Sequence, residues 1–177
     1  MNKLSKSVHP CAIPATAFLR KYQEGGAFAD CYVVWVDGAV TQSGFVKAFY
    51  TTRLFKIERT LLEWFAKKPA TDGDAQRLAD GAAATFSAWR VEEQGPDQLL
   101  LADFTGRTRS WLMAVPASHD AANGAAATWL YFGSAVVPRR SRTGEAAGMG
   151  WGFHALLGFH RLYSRLLLAA ARRRLPG

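Results

Sequence analysis

Two cysteines, four histidines and three methionines in 177 residues leave little material for a metal cage or a disulfide scaffold. Cys11 and Cys31 have no CxxC neighbour and no metal-ligand spacing around them, so reduced thiols and a cytoplasmic location are expected. A secretory core is also missing, because MNKLSKSVHPCAIPATAF has no continuous apolar run before Pro10 and Pro14. The one long apolar stretch, 150–174, is interrupted by His154, His160, Arg161 and Arg165. It lacks the run of about 20 apolar residues that a membrane span needs.

Catalytic signatures are equally scarce. There is no GxSxG elbow, HExxH pair or P-loop. Gly148-Met149-Gly150-Trp151-Gly152 imitates a dinucleotide loop, but the third fingerprint glycine falls at Phe153. His154 and His160 lie about 120° apart around a helix, and Glu58 and Glu63 about 140°, so neither pair converges. Asp72-Gly73-Asp74 lacks the glutamate an EF-hand requires, since position 83 is alanine. No metal and no cofactor are expected.

Acidic residues are lacking at one end. From Arg139 onward there are eight arginines against Glu145 alone, a charge of +7 out of the chain's +8. A basic end on a near-neutral body suits an anionic contact through Arg161, Arg165, Arg172, Arg173 and Arg174, although a solvated helix face explains the same residues. No specific nucleic-acid motif accompanies them.

What is present is a good core composition. Hydrophobic residues make up 49% and charged residues 20% of the chain, enough for one domain and short for two. An irregular arm over 1–11 and a single domain over 12–177 are expected. A short helix is expected over 14–22, and the β-branched and aromatic FADCYVVWVDG (28–38) reads as a strand ending in a turn. Thr41 or Ser43 caps a helix carrying Phe45, Phe49 and Tyr50. A second helix carries Leu54 to Phe65 and stops at Lys68-Pro69. Residues 70–84 read as a connection with at most one helical turn. Three antiparallel strands follow over 85–93, 98–104 and 107–115, the last with Arg109, Trp111, Met113 and Val115 on one side. TWLYFGSAVV (128–137) is apolar on both sides, as in a strand covered on both faces. The final helix, 150–174, places Phe153, Leu156, Leu157, Phe159, His160, Tyr163, Leu166, Leu167 and Ala170 on one face, with His154, Arg161, Arg165 and Arg172 opposite.

The fold class expected is therefore α+β: a curved antiparallel sheet of about five to seven strands gripping a long C-terminal helix. FADCYVVWVDG, FKIERTLLEWFAKK, DFTGRTRSWL and GFHRLYSRLLL after GWGFHALL resemble the helix-grip fold of the START and polyketide-cyclase superfamily (SRPBCC). In detail they resemble one of its branches of unknown function, sometimes fused behind an NAD-binding epimerase-like domain. The resemblance covers about residues 12 to 175 and implies a gap between helix and sheet that holds a lipid or other hydrophobic small molecule.

Its candidate lining is Trp89, Trp111, Met113, Tyr131, Phe153, Leu156, His160, Tyr163 and Leu167, each of which also reads as ordinary core. His160 is the single acid/base candidate. Within the same cavity, a cyclase or isomerase would use it with Tyr163 or Arg109 stabilising an oxyanion. Three functions remain open on sequence alone: a hydrophobic-ligand module, such an enzyme, and a peripheral contact through the Arg-rich end.

Overall fold

The computed structural model describes residues 7–55, 71–117, 126–137 and 151–175, with the side chains of 151–160 outside that description. Seven strands form one antiparallel sheet: β1 (His9–Pro10), β2 (Phe28–Asp37), β3 (Thr85–Phe86), β4 (Trp89–Gln94), β5 (Gln98–Asp103), β6 (Thr108–Pro116) and β7 (Ala127–Val136). Their spatial order is β1-β2-β7-β6-β5-β4-β3. The helices are α1 (Arg20–Glu24), α2 (Gln42–Tyr50), α3 (Asp72–Ala79) and α4 (Trp151–Arg172). The α+β class and the C-terminal helix follow the sequence reading.

Two strands are additional. The 85–93 segment divides because Ser87 adopts a left-handed backbone (φ 53°), separating β3 from β4. Part of the expected arm joins the sheet, with His9 opposite Val33 and Pro10 opposite Tyr32. β7 is held between β2 and β6 over its whole length. Its two apolar faces feed both cores, with Leu130 and Phe132 buried on one side and Ala135 on the other, where Tyr131 is partly buried.

The helices correct the sequence reading in three places. The expected 14–22 helix is mostly turn and becomes helical only from Arg20. The connection after residue 70 contains the full helix α3. Its start is a capping box: the Thr71 hydroxyl accepts from the Asp74 N–H at 3.2 Å, and the Asp74 carboxylate accepts from the Thr71 N–H at 2.6 Å. Asp72-Gly73-Asp74 is thus a helix first turn, where acids are favoured. Thr41 caps α2 as expected, accepting from the Gly44 N–H at 3.1 Å. The expected helix of Leu54 to Phe65 lies almost wholly outside the described residues.

The phase of α4 also differs. Ser164, Leu167, Leu168 and Ala171 are buried, whereas Leu162 and Leu166 are 57% and 49% exposed. The buried stripe is centred one position C-terminal to the expected one. The helix packs against β2 and α2.

Both faces of the sheet are covered. On the inner face, Tyr32, Val34, Leu101, Leu112, Leu130 and Phe132 meet the helices. On the outer face, Trp111, Met113, Leu100 and Ala135 lie under Ile13, Ala17 and Leu19 of the N-terminal segment. Gln98 fastens that segment. Its amide oxygen accepts from Phe18 N–H at 3.0 Å and Trp111 Nε1–H at 2.9 Å, and its amide nitrogen donates to Thr16 O at 3.0 Å.

Candidate functional site

Between the inner face of the sheet and α4 lies a cleft of about 260 Å³. α2 and its C-terminal extension supply Phe49 and Phe55, β4 supplies Trp89, β7 supplies Phe132, and α4 supplies Tyr163 and Leu167. Polar groups are interspersed: Thr108 and Ser110 on β6, Ser134 on β7 and Ser164 on α4. Most of these are already engaged. Ser110 shares a 3.1 Å hydrogen bond with the Tyr50 hydroxyl, and the Ser134 hydroxyl donates to Asp30 at 2.7 Å. Asp103, at the mouth, caps the β5–β6 turn by accepting from the N–H groups of Arg107 and Thr108 at 2.8 and 3.0 Å.

Two are not. Among the described residues, Trp89 Nε1 and Ser164 Oγ are buried without a hydrogen-bond partner, and both residues line the cleft. An unpaired buried polar atom costs about 1 to 3 kcal/mol, so a pair of them in one apolar recess is unusual. One is an obligate donor and the other either donates or accepts.

Asp30 links this cleft to a second recess at the β1–β2 edge. The Tyr32 hydroxyl also donates to Asp30, at 3.4 Å. Burial, reinforced by that carboxylate, pushes the Tyr32 phenol up to about 12, against the opposing charges of Arg161 and Arg165. The edge recess, about 490 Å³, is lined by Cys11, Cys31, Asp30, Arg161, Leu162 and Arg165 among others.

The residues proposed from sequence separate into three groups. Trp89, Tyr163 and Leu167 meet in the cleft. Trp111, Met113 and Tyr131 lie on the outer face with the N-terminal segment, a correction to their expected place. The reason is that both faces of β6 are apolar: Leu112 and Ala114 fill the inner core while Trp111 and Met113 fill the outer one. Alternation alone could not distinguish them. Phe153, Leu156 and His160 have side chains outside the described residues.

Arg109 forms part of the cleft wall, but its guanidinium is committed elsewhere. It stacks on the Tyr22 ring at 4.6 Å, donates to the Tyr22 hydroxyl at 2.8 Å and pairs with Glu92 at 2.7 Å. Tyr22 donates in turn to Glu92, and Lys21 completes the cluster at 3.2 Å from Glu92. These contacts engage the Arg109 Nε–H, and one terminal nitrogen donates to Gly106 O at 2.8 Å.

Sequence reasoning missed Ser164, although a signal existed. Ser164 stands i, i+3, i+4 and i+7 with Leu167, Leu168 and Ala171, an isolated hydroxyl on an apolar stripe. Among the described residues no group of three His, Cys, Asp or Glu side chains could hold a metal ion, and no helix is long and apolar enough to cross a membrane. Comparison of the chain with protein-family models and with curated proteins gives no match.

Proposed function

We propose that the protein binds a small, largely apolar molecule bearing a hydrogen-bond acceptor in the cleft between the sheet and α4. The observation that carries this reading is the pair of unpartnered buried atoms, Trp89 Nε1 and Ser164 Oγ, in an aromatic-lined recess. A carbonyl or hydroxyl oxygen would take the indole N–H and the serine hydroxyl, while Phe49, Phe55, Phe132 and Leu167 enclose the apolar body. The cleft, about 260 Å³, lies just below the usual range of ligand pockets, roughly 300 to 1,000 Å³, which favours a compact ligand or one end of a longer one. The helix-grip resemblance supports the same reading, since that superfamily holds hydrophobic ligands between sheet and C-terminal helix.

Native mass spectrometry of the protein as purified, together with 1-naphthol titration followed by tryptophan fluorescence, tests it. A bound apolar molecule, or saturable naphthol binding weakened about tenfold by Ser164→Val, is expected. An empty protein that shows no saturable binding at millimolar naphthol overturns the reading.

A second reading rests on a different observation. Leu162 and Leu166 are exposed on α4 beside exposed Arg161 and Arg165, an apolar strip edged with cations that suits an anionic lipid surface. Co-sedimentation with phosphatidylserine vesicles that fades as salt is raised supports it. Equal sedimentation with neutral vesicles, or none, removes it.

A further inference from the structure

The two cysteines are 20 positions apart in the chain but face each other across the β1–β2 edge. The register pairs His9 with Val33 and Pro10 with Tyr32, and one further step brings Cys11 opposite Cys31. The backbone continues the ladder there, the Cys11 N–H donating to Cys31 O at 3.0 Å. The two thiols share a hydrogen bond, Sγ to Sγ 3.2 Å. Directly opposed antiparallel residues have Cα atoms about 4.5 to 5.5 Å apart, within the roughly 4.4 to 6.8 Å that a disulfide spans. The register therefore places the pair within the span a disulfide requires.

The surroundings differ at the two sulfurs. Cys31 is 3% exposed, whereas Cys11 is half-buried and reaches the edge recess. The Cys31 thiol, hydrogen-bonded to Cys11, holds the Cys11 thiol below its ordinary range despite partial burial. The same partnership and burial push Cys31 well up. Arg161 and Arg165 line the recess in front of them. Asp30 is the one carboxylate among the described lining residues, against two arginines, and a partly exposed thiol beside such an excess of cations is the environment in which cysteine reacts.

We propose that Cys11 and Cys31 are a redox-modification site, which closes to a disulfide by exchange with an anionic low-molecular-weight disulfide of the glutathione type. The Cys11 thiolate attacks one sulfur of the small disulfide, whose S–S bond breaks and whose other half leaves as a thiolate and takes up a proton. Cys31 then gives up its proton and attacks the Cys11 sulfur of the mixed disulfide, expelling the second small thiolate, which is protonated in turn. The protein dithiol loses two electrons and two protons, and one small disulfide becomes two thiols. Arg161 and Arg165 attract the carboxylates of the incoming molecule. The bond formed ties the N-terminal segment, which covers Trp111 and Met113, directly to β2.

The test is incubation of the full chain with oxidised glutathione, followed by intact mass measurement. The wild type is expected to lose about 2 Da and carry no adduct, while Cys31→Ser retains a glutathione adduct of about 305 Da and Cys11→Ser gains none. Arg161→Gln with Arg165→Gln is expected to slow the reaction at least about threefold with oxidised glutathione and leave that with neutral dipyridyl disulfide unchanged. A wild type that stays at its reduced mass, stops at the adduct or couples between molecules overturns the proposal. So does an adduct on Cys11→Ser, and equal slowing with both reagents removes the anionic specificity.

Discussion

Gly133 on β7 lies directly beneath Leu19 of the N-terminal segment: a Cβ at Gly133 would stand 2.6 Å from Leu19 Cδ2 and 2.9 Å from the Asp30 carbonyl oxygen. The glycine is a matter of space, because the segment can seat on the outer face only where β7 offers bare backbone. Gly133→Ala is expected to destabilise the protein by about 1 to 3 kcal/mol through overpacking, measured by urea unfolding. Gly26→Ala, where an added Cβ meets nothing but the backbone has a positive φ, serves as a control for conformational strain. A neutral Gly133→Ala would show that the segment does not press on β7.

Gln98 provides an independent measure of the same contact. Gln98→Leu keeps the volume but strands the Phe18 N–H, the Trp111 indole N–H and the Thr16 carbonyl. A loss of about 2 to 4 kcal/mol is expected, from more than one buried polar group left unpaired, with early proteolysis near residues 12–19. Gln98→Glu keeps the two acceptor bonds but buries a carboxylate against the Thr16 carbonyl, so its deficit should shrink at low pH, where the protonated carboxyl donates to Thr16 O. If both variants unfold alike, the amide is not the fastener.

The Tyr22–Glu92–Arg109 cluster should govern acid stability. Burial works to raise the Glu92 carboxyl, but the hydrogen bonds from Tyr22 and Lys21 and the charge of Arg109 together hold it below its ordinary range. A carboxyl depressed in the folded state adds stability that is fully present above its unfolded value, about 4.3, and is lost as pH falls through the folded value. Glu92→Gln is expected to cost about 1 to 2 kcal/mol at neutral pH and to flatten the decline of unfolding free energy below about pH 4.5. An unchanged acid slope would assign that decline to other carboxyls.

Ser164 should behave in opposite ways in stability and in binding. Its hydroxyl is buried without a partner among the described residues, so Ser164→Ala removes a desolvated polar atom from a helix and should raise the melting temperature of the empty protein by a few degrees. The same change should weaken binding of an acceptor-bearing ligand. A Ser164→Ala variant that melts lower would mean that the hydroxyl is satisfied and that the cleft is ordinary core.

Much of the fold was legible from single segments. FADCYVVWVDG, the DFTGRT turn and the apolar run of β7 announced their elements because each depends on local pattern: β-branched content, turn chemistry and the absence of a polar side. The first turn of α3 was misread because DGDAQRLA is mostly polar, and its stability comes from the Thr71–Asp74 box rather than from a wide apolar face. The cleft was half legible. Trp89, Tyr163 and Leu167 were found by periodicity, whereas Trp111, Met113 and Tyr131 were assigned to the wrong side. Nothing local in their strands reveals that Ile13, Ala17 and Leu19 return to cover the outer face. The cysteine pair was invisible for the same reason: it exists only through the β1–β2 register.

The pairing of β2 with β7 also sets the order in which the chain can become a protein. Phe28 pairs with Val136 and Asp37 with Ala127, so this seam joins segments separated by about a hundred residues, a long loop to close before any reward is gained. During synthesis β2 emerges with its inner and outer residues both apolar and one long edge unclaimed. It must wait for the entire β3–β6 meander and then for β7 itself. Throughout that interval FADCYVVWVDG is a bare, β-prone edge of the kind that recruits neighbouring chains, and the brief pairing of β1 with its other side gives no protection where β7 will later dock.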